Sequence, residues 1–93
     1  MLLEGTRIQL IDVRERVEYE LANIGALNIP LSSILEEIEQ IERGIPVVIH
    51  CQSGQRSRKA IVQLQQLHRF TNLLNMKGGL RRWKEEVDQK LVI

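Results

Sequence analysis

Val47-Val48-Ile49-His50-Cys51-Gln52-Ser53-Gly54-Gln55-Arg56-Ser57 contains the only cysteine of the chain. Apolar and strand-prone residues run straight into the thiol, a small polar loop with a glycine follows, and a helical stretch opens near Ser57. The first N–H groups of a helix have no intrahelical partner and carry the positive end of its dipole. A tight loop feeding that helix adds inward-pointing N–H groups, which together make an anion-binding nest. Cysteines in such cradles titrate at about 3.5–7.5, against about 8.5 for a free thiol. Arg56 and Arg58 add positive charge nearby, and Gly54 lets the backbone turn tightly and approach a ligand. A lone cysteine is commonly an inert buried hydrophobe. A glycine-and-arginine loop behind a strand favours a nucleophile instead.

Outward from this segment, strands and helices alternate. Gly44 and Pro46 stop the preceding element and turn the chain into the central strand Val47 to His50. Upstream, Ile8 to Val13 is an apolar run that fits a buried strand. Arg14 to Ala22, with Val17 and Leu21 one helical turn apart, reads as a short surface helix. Gly25 to Pro30 reads as a second strand. Leu31, Ile34, Leu35, Ile38 and Ile41 form an apolar stripe that predicts a helix, with Ser33 and Glu36 offering a capping box. Downstream, Ala60, Ile61, Leu64 and Leu67 mark one face of a helix from about Ser57 to His68. A strand over Asn72 to Met76, a Gly78-Gly79 turn and a final helix carrying Trp83 and Val87 complete the pattern. Such alternation predicts an α/β domain, a parallel sheet with helices on both faces. Ligands of such sheets sit outside the carboxyl ends of the strands, where both Cys51 and Asp12-Val13-Arg14 fall.

Composition sets the bounds. The 93 residues suffice for one domain with one modest core, and 43% hydrophobic content is ordinary for a globular fold. A net charge of +1 and one each of Trp, Tyr and Phe argue against nucleic-acid binding. One cysteine excludes an intrachain disulfide and a multi-cysteine zinc site, and points to a reducing compartment. No apolar run approaches membrane-spanning length and no signal-peptide pattern opens the chain, so the expected address is the cytoplasm.

Leu10-Ile11-Asp12-Val13-Arg14-Glu15, Glu18-Tyr19, Asn28-Ile29-Pro30-Leu31, the Cys51-to-Ser57 loop and Gly78-Gly79-Leu80-Arg81-Arg82-Trp83 together resemble the rhodanese domain in order and spacing, over roughly residues 8–87. The resemblance implies a three-layer α/β fold and sulfurtransferase chemistry. In that chemistry Cys51 accepts a sulfane sulfur from thiosulfate or another persulfide and hands it to a nucleophile. Gln52, Ser53, Gly54, Gln55, Arg56 and Ser57 are then the substrate-binding loop. Its N–H groups hold the persulfide anion, and Arg56 attracts an anionic donor. No metal or organic cofactor is implied. The implied partners are a small anionic donor such as thiosulfate, a protein sulfur donor or a sulfur-carrier acceptor, with neither nucleic acid nor membrane. Tyr19 to Gly25 and Glu86-Val87-Asp88 are similar in wording to the rhodanese module of adenylyltransferases that activate sulfur-carrier proteins.

The sequence departs from the family at Ala22-Asn23-Ile24-Gly25-Ala26, where the usual histidine and proline are absent, so Asn23 is a poor stand-in for that histidine. Met1 to Thr6 is too short for the family's N-terminal helix and first strand, which fits a trimmed form or a minimal standalone version. Cysteine-dependent phosphatases place their arginine one residue later than Arg56, at the position of Ser57 here. The shorter loop closes a tighter nest, suited to one sulfur atom rather than a phosphoryl group.

Other residues have plainer readings. His50 precedes Cys51 in the strand and points to the opposite face, which favours packing or hydrogen bonding over acid–base work. Asp12 and Arg14 divide evenly between a loop-bracing ion pair and direct substrate contact. His68 reads as a surface residue at a helix end, Met76 and Trp83 as core, and Glu36, Glu37, Glu39 and Glu42 as a solvated helix face. The functional alternative to a sulfurtransferase is a binding or sulfide-sensing module of the same fold with little turnover.

Overall fold

The computed structural model describes residues 2–3, 6–76 and 91–92, with side chains described over 7–76. In chain order the strands are β1 (Leu2–Leu3), β2 (Thr6–Arg7), β3 (Gln9–Asp12), β4 (Leu27–Asn28), β5 (Val47–His50), β6 (Leu73–Asn75) and β7 (Leu91–Val92). Two α-helices are described, α1 (Arg16–Leu21) and α2 (Gln55–His68). Strands β4-β3-β5-β6 form a wholly parallel sheet, and β2-β1-β7 a small antiparallel one. The first is the α/β architecture that the alternating pattern predicts.

Register explains which residues reach the same edge. Gln9 pairs with Val47 and Asp12 with His50, while Ile49 pairs with Asn75. The carboxyl ends of β3, β5 and β6 therefore finish side by side, with Asp12, Cys51 and Asn75 at or next to them. On one face Ile11, Val47 and Ile49 pack with Ala60 and Leu64 of α2 in the main core, together with Ile34, Phe70 and Leu73. The other face carries a smaller cluster of Leu10, Ala26 and Met76, with Ile24 and Val48 against it. Fully burying each of the larger aliphatic side chains contributes about 1.5–3 kcal/mol. Helix α2 is held between two left-handed residues, Gly54 at its N-cap and Arg69 at its C-cap, where the Arg69 N–H donates to the Gln65 and Leu64 carbonyls.

Three expectations change. Leu31 to Ile41 is not one helix but two 3-10 turns, Leu31–Ser33 and Ile38–Gln40, joined by hydrogen-bonded turns. Its stripe still faces inward, with Ile34 and Ile41 buried and Leu31, Leu35 and Ile38 against the core. Three β-branched isoleucines and two adjacent serines are weak helix formers, and packing accepts the tighter turns. The capping box forms not at Ser33 and Glu36 but at Glu15 and Glu18, opening α1. Leu67 lies on the exposed side of α2, so its buried face is narrower than the apolar spacing implied. The Gly78-Gly79 turn and the helix expected around Trp83 and Val87 fall outside the described residues.

Candidate active site

Cys51 follows β5 directly, and the chain then bends through Gln52, Ser53 and Gly54 into α2. Gly54 has φ +95, a left-handed conformation that glycine adopts without strain. That turn points its N–H back at the thiol, where it donates to Cys51 Sγ at 3.0 Å. The Ser57 N–H, in the first turn of α2, donates to the same sulfur at 3.4 Å. The Ser57 hydroxyl oxygen lies 3.5 Å from Sγ.

Cys51 is only 1% exposed. Burial alone pushes its thiol up; the Ser57 hydroxyl and the N–H groups of Ser57, Ser53 and Gly54 push it down, and the net direction is down. The thiolate is thus stabilised by the Ser57 hydroxyl together with directed N–H groups, the nest that a strand–loop–helix turn provides. Gln52 and Gln55 are exposed and make no hydrogen bond to Sγ.

Asn75 was not singled out from the sequence, and it completes the loop. The Ser57 hydroxyl donates to Asn75 Oδ1 at 2.5 Å, and Asn75 Nδ2 donates to the Gly54 carbonyl at 3.2 Å. The only sequence sign was its place at the end of a strand beside that of Cys51. In the sequence Glu18 carries only the family resemblance and no sign of its partner. It accepts both terminal nitrogens of Arg56, at 2.6 and 3.0 Å. Arg56, expected to attract an anionic donor, thus has its guanidinium on a carboxylate. The bond to Glu18, and then the charges of Glu18, Cys51 and Asp12, hold the guanidinium more firmly protonated against the opposing effect of burial.

Asp12 and Arg14 are both buried and committed to each other. Arg14 donates through Nε to both Asp12 oxygens, through Nη2 to Oδ2 at 2.8 Å, and through its backbone N–H to Oδ1 at 2.9 Å. Nη2 also reaches the Ala22 carbonyl at 2.6 Å. Asn28 Nδ2 donates to the carbonyls of Asp12 and Arg14. Of the two roles open to the pair, this geometry is that of a brace, tying the ends of β3, α1 and β4 together beside the loop. Asn23 Nδ2 donates to the Tyr19 carbonyl and its Oδ1 accepts the Gly25 N–H, so it shapes the turn after α1. His50 is fully buried, and neither ring nitrogen has a hydrogen-bond partner among the described residues. No group of metal-binding side chains occurs among the described residues, and none of their helices is long and apolar enough to cross a membrane.

A buried thiol ringed by N–H groups at the carboxyl edge of a parallel sheet defines a cysteine-loop α/β domain built to stabilise an anionic sulfur. The profile of the Rhodanese-like domain matches residues 1–86, somewhat more of the N-terminus than the sequence motifs delimit. The chain belongs to the rhodanese-like family. It is 39% identical over 85 residues to the uncharacterized protein YqhL of Bacillus subtilis, covering 90% of this chain and 67% of that protein. It is 35% identical over 92 residues to the adenylyltransferase and sulfurtransferase UBA4 of Yarrowia lipolytica, covering 96% of this chain but only 23% of that protein. Among solved structures, a rhodanese-related protein from Thermoplasma volcanium matches with TM-score 0.74 and 34% identity, over 85% of this chain and 78% of its own.

Proposed function

We propose that this domain is a sulfurtransferase that carries a sulfane sulfur as a Cys51 persulfide. The Cys51 thiolate attacks the outer sulfur of thiosulfate or of another sulfane donor. The S–S bond of the donor breaks, its electron pair leaves with sulfite or a thiolate, and a persulfide remains on Cys51. A thiophilic acceptor, cyanide in vitro or a thiol or carrier-protein group in a reducing cytoplasm, then removes the terminal sulfur. The convergence of the Gly54 and Ser57 N–H groups on Cys51 Sγ carries this reading, because the same donors that favour the thiolate can hold the persulfide anion. Membership of the family supports it, as does the relative named both adenylyltransferase and sulfurtransferase. A binding or sulfide-sensing role with little turnover is favoured by one observation, the near-complete burial of the sulfur.

Intact mass spectrometry after incubation with sulfane donors tests the reading. One sulfur atom should add, leave on treatment with cyanide or reductant, and never appear on Cys51→Ser. Loading without steady turnover in a sulfur-to-cyanide assay would favour the sensor. No sulfur added to the native sequence by any sulfane donor would refute the assignment altogether.

A further inference from the structure

The Glu18 carboxylate is fixed from two sides. It accepts the Glu15 backbone N–H at 3.0 Å in the capping box of α1, and it accepts Arg56 Nη1 and Nη2 through its two oxygens. Arg56 is the only cationic residue of the Cys51-to-Ser57 loop. Arg58 lies two residues further, about 200° around the helix, and does not take its place. A bidentate guanidinium–carboxylate pair satisfies the planar fork that would otherwise clamp an incoming oxyanion.

We propose that Glu18 selects the sulfur donor, disfavouring free dianionic thiosulfate and leaving the loop suited to the persulfide of a thiol, R–S–SH. This rests on the sulfurtransferase reading. With thiosulfate, Cys51–S⁻ and ⁻S–SO3⁻ give Cys51–S–S⁻ and sulfite dianion, so a dianion must both approach a thiolate and depart from it. With a thiol persulfide, Cys51–S⁻ and R–S–SH give Cys51–S–SH and R–S⁻. The donor reacts with its outer sulfur protonated, the broken S–S bond leaves its electron pair on the donor sulfur, and the proton passes from the outer sulfur to that thiolate, giving Cys51–S–S⁻ and R–SH. Only the first reaction calls for a free cation at the loop. Glu18 acts through Arg56, as a positioning residue whose effect is on the choice of donor.

The test measures single-turnover loading of Cys51 by intact mass, with thiosulfate, glutathione persulfide and a persulfidated cysteine peptide as donors. For the native sequence, the second-order rate constant of loading by glutathione persulfide should exceed that by thiosulfate about tenfold, and thiosulfate loading should not fall with salt. Glu18→Gln should raise the ratio of thiosulfate to persulfide loading rate constants about tenfold, mainly through the half-saturating thiosulfate concentration, and make thiosulfate loading fall with salt. Adding Arg56→Gln to that variant should abolish both changes. The two persulfide arms separate a small-molecule donor from a peptide-borne one. An unchanged or lowered ratio in Glu18→Gln overturns the proposal. Should that variant fail to fold, a steep loss of thiosulfate loading with salt in the native sequence overturns it, since that would reveal a free cation. Equal loading of the native sequence by thiosulfate and persulfide defeats donor selection alone; no loading by any donor defeats the sulfurtransferase reading as well.

Discussion

The Ser57 hydroxyl, 3.5 Å from Cys51 Sγ, gives its proton to Asn75 Oδ1 at 2.5 Å. A hydroxyl has one proton. While Asn75 holds it, Ser57 Oγ is an acceptor towards the thiol, and the hydroxyl lowers the Cys51 pKa only by turning that proton from the amide to the thiolate. Asn75 cannot simply turn over to help, because its Nδ2 is engaged by the Gly54 carbonyl.

Removing the competitor should therefore make the thiolate easier to form. Asn75→Ala is expected to lower the Cys51 pKa, because the freed Ser57 hydroxyl can turn its hydrogen bond to the anion. The pH dependence of alkylation reads this directly. A raised pKa would mean that Asn75 serves chiefly to hold Ser57 and Gly54 in place.

Gly54→Ala separates backbone strain from crowding. A Cβ at Gly54 would meet nothing nearer than 3.9 Å, so its cost lies in φ +95. Stability should fall by about 1–2 kcal/mol in urea unfolding. If the loop relaxes, its N–H leaves Cys51 Sγ and the alkylation profile of the thiol moves to higher pH. Neither change would occur if the turn readily accepts a side chain.

His50 makes stability depend on pH. Burial, assisted by the Arg14 charge and opposed by Asp12, lowers its pKa from 6.5 to about 4. The unfolded chain then binds a proton that the folded protein refuses, so stability falls as pH drops from 6.5 towards 4 and this contribution changes no further below that. His50→Leu, of similar bulk and without buried nitrogens, should flatten the dependence in that window without loss of stability at pH about 7. An unaltered slope would assign the acid sensitivity to other groups.

Loop length is tested against phosphate chemistry. The native sequence should not hydrolyse aryl phosphates, because the N–H groups of Gly54 and Ser57 already converge on one sulfur. Inserting one residue between Gly54 and Arg56 moves the arginine to the phosphatase position. That variant should lose sulfur transfer and gain at most weak phosphate binding. Cys51-dependent phosphatase turnover by the native sequence, faster than its sulfur transfer, would reverse the functional assignment.

The parallel sheet and the strand–loop–helix around Cys51 were legible because local signals agreed there: an apolar run, a glycine needing positive φ, and a helix with periodic apolar residues. The stretch from Leu31 to Ile41 misled because an inward stripe at helical spacing is equally compatible with successive 3-10 turns. The roles of Glu18 and Asn75 lay beyond the sequence for a different reason. Glu18 is 38 residues from Arg56 and Asn75 is 18 from Ser57, so only the folded sheet and helices bring them together. Arg56 showed its charge in the sequence but not its partner.

Cys51 has no second thiol in the chain to turn to. A sulfur loaded there cannot be ejected by an internal disulfide, the route open to proteins with a resolving cysteine. On the sulfurtransferase reading, discharge needs a thiophile that these 93 residues do not supply. On the same reading, the residence time of the sulfur is then set by whichever acceptor comes to collect it.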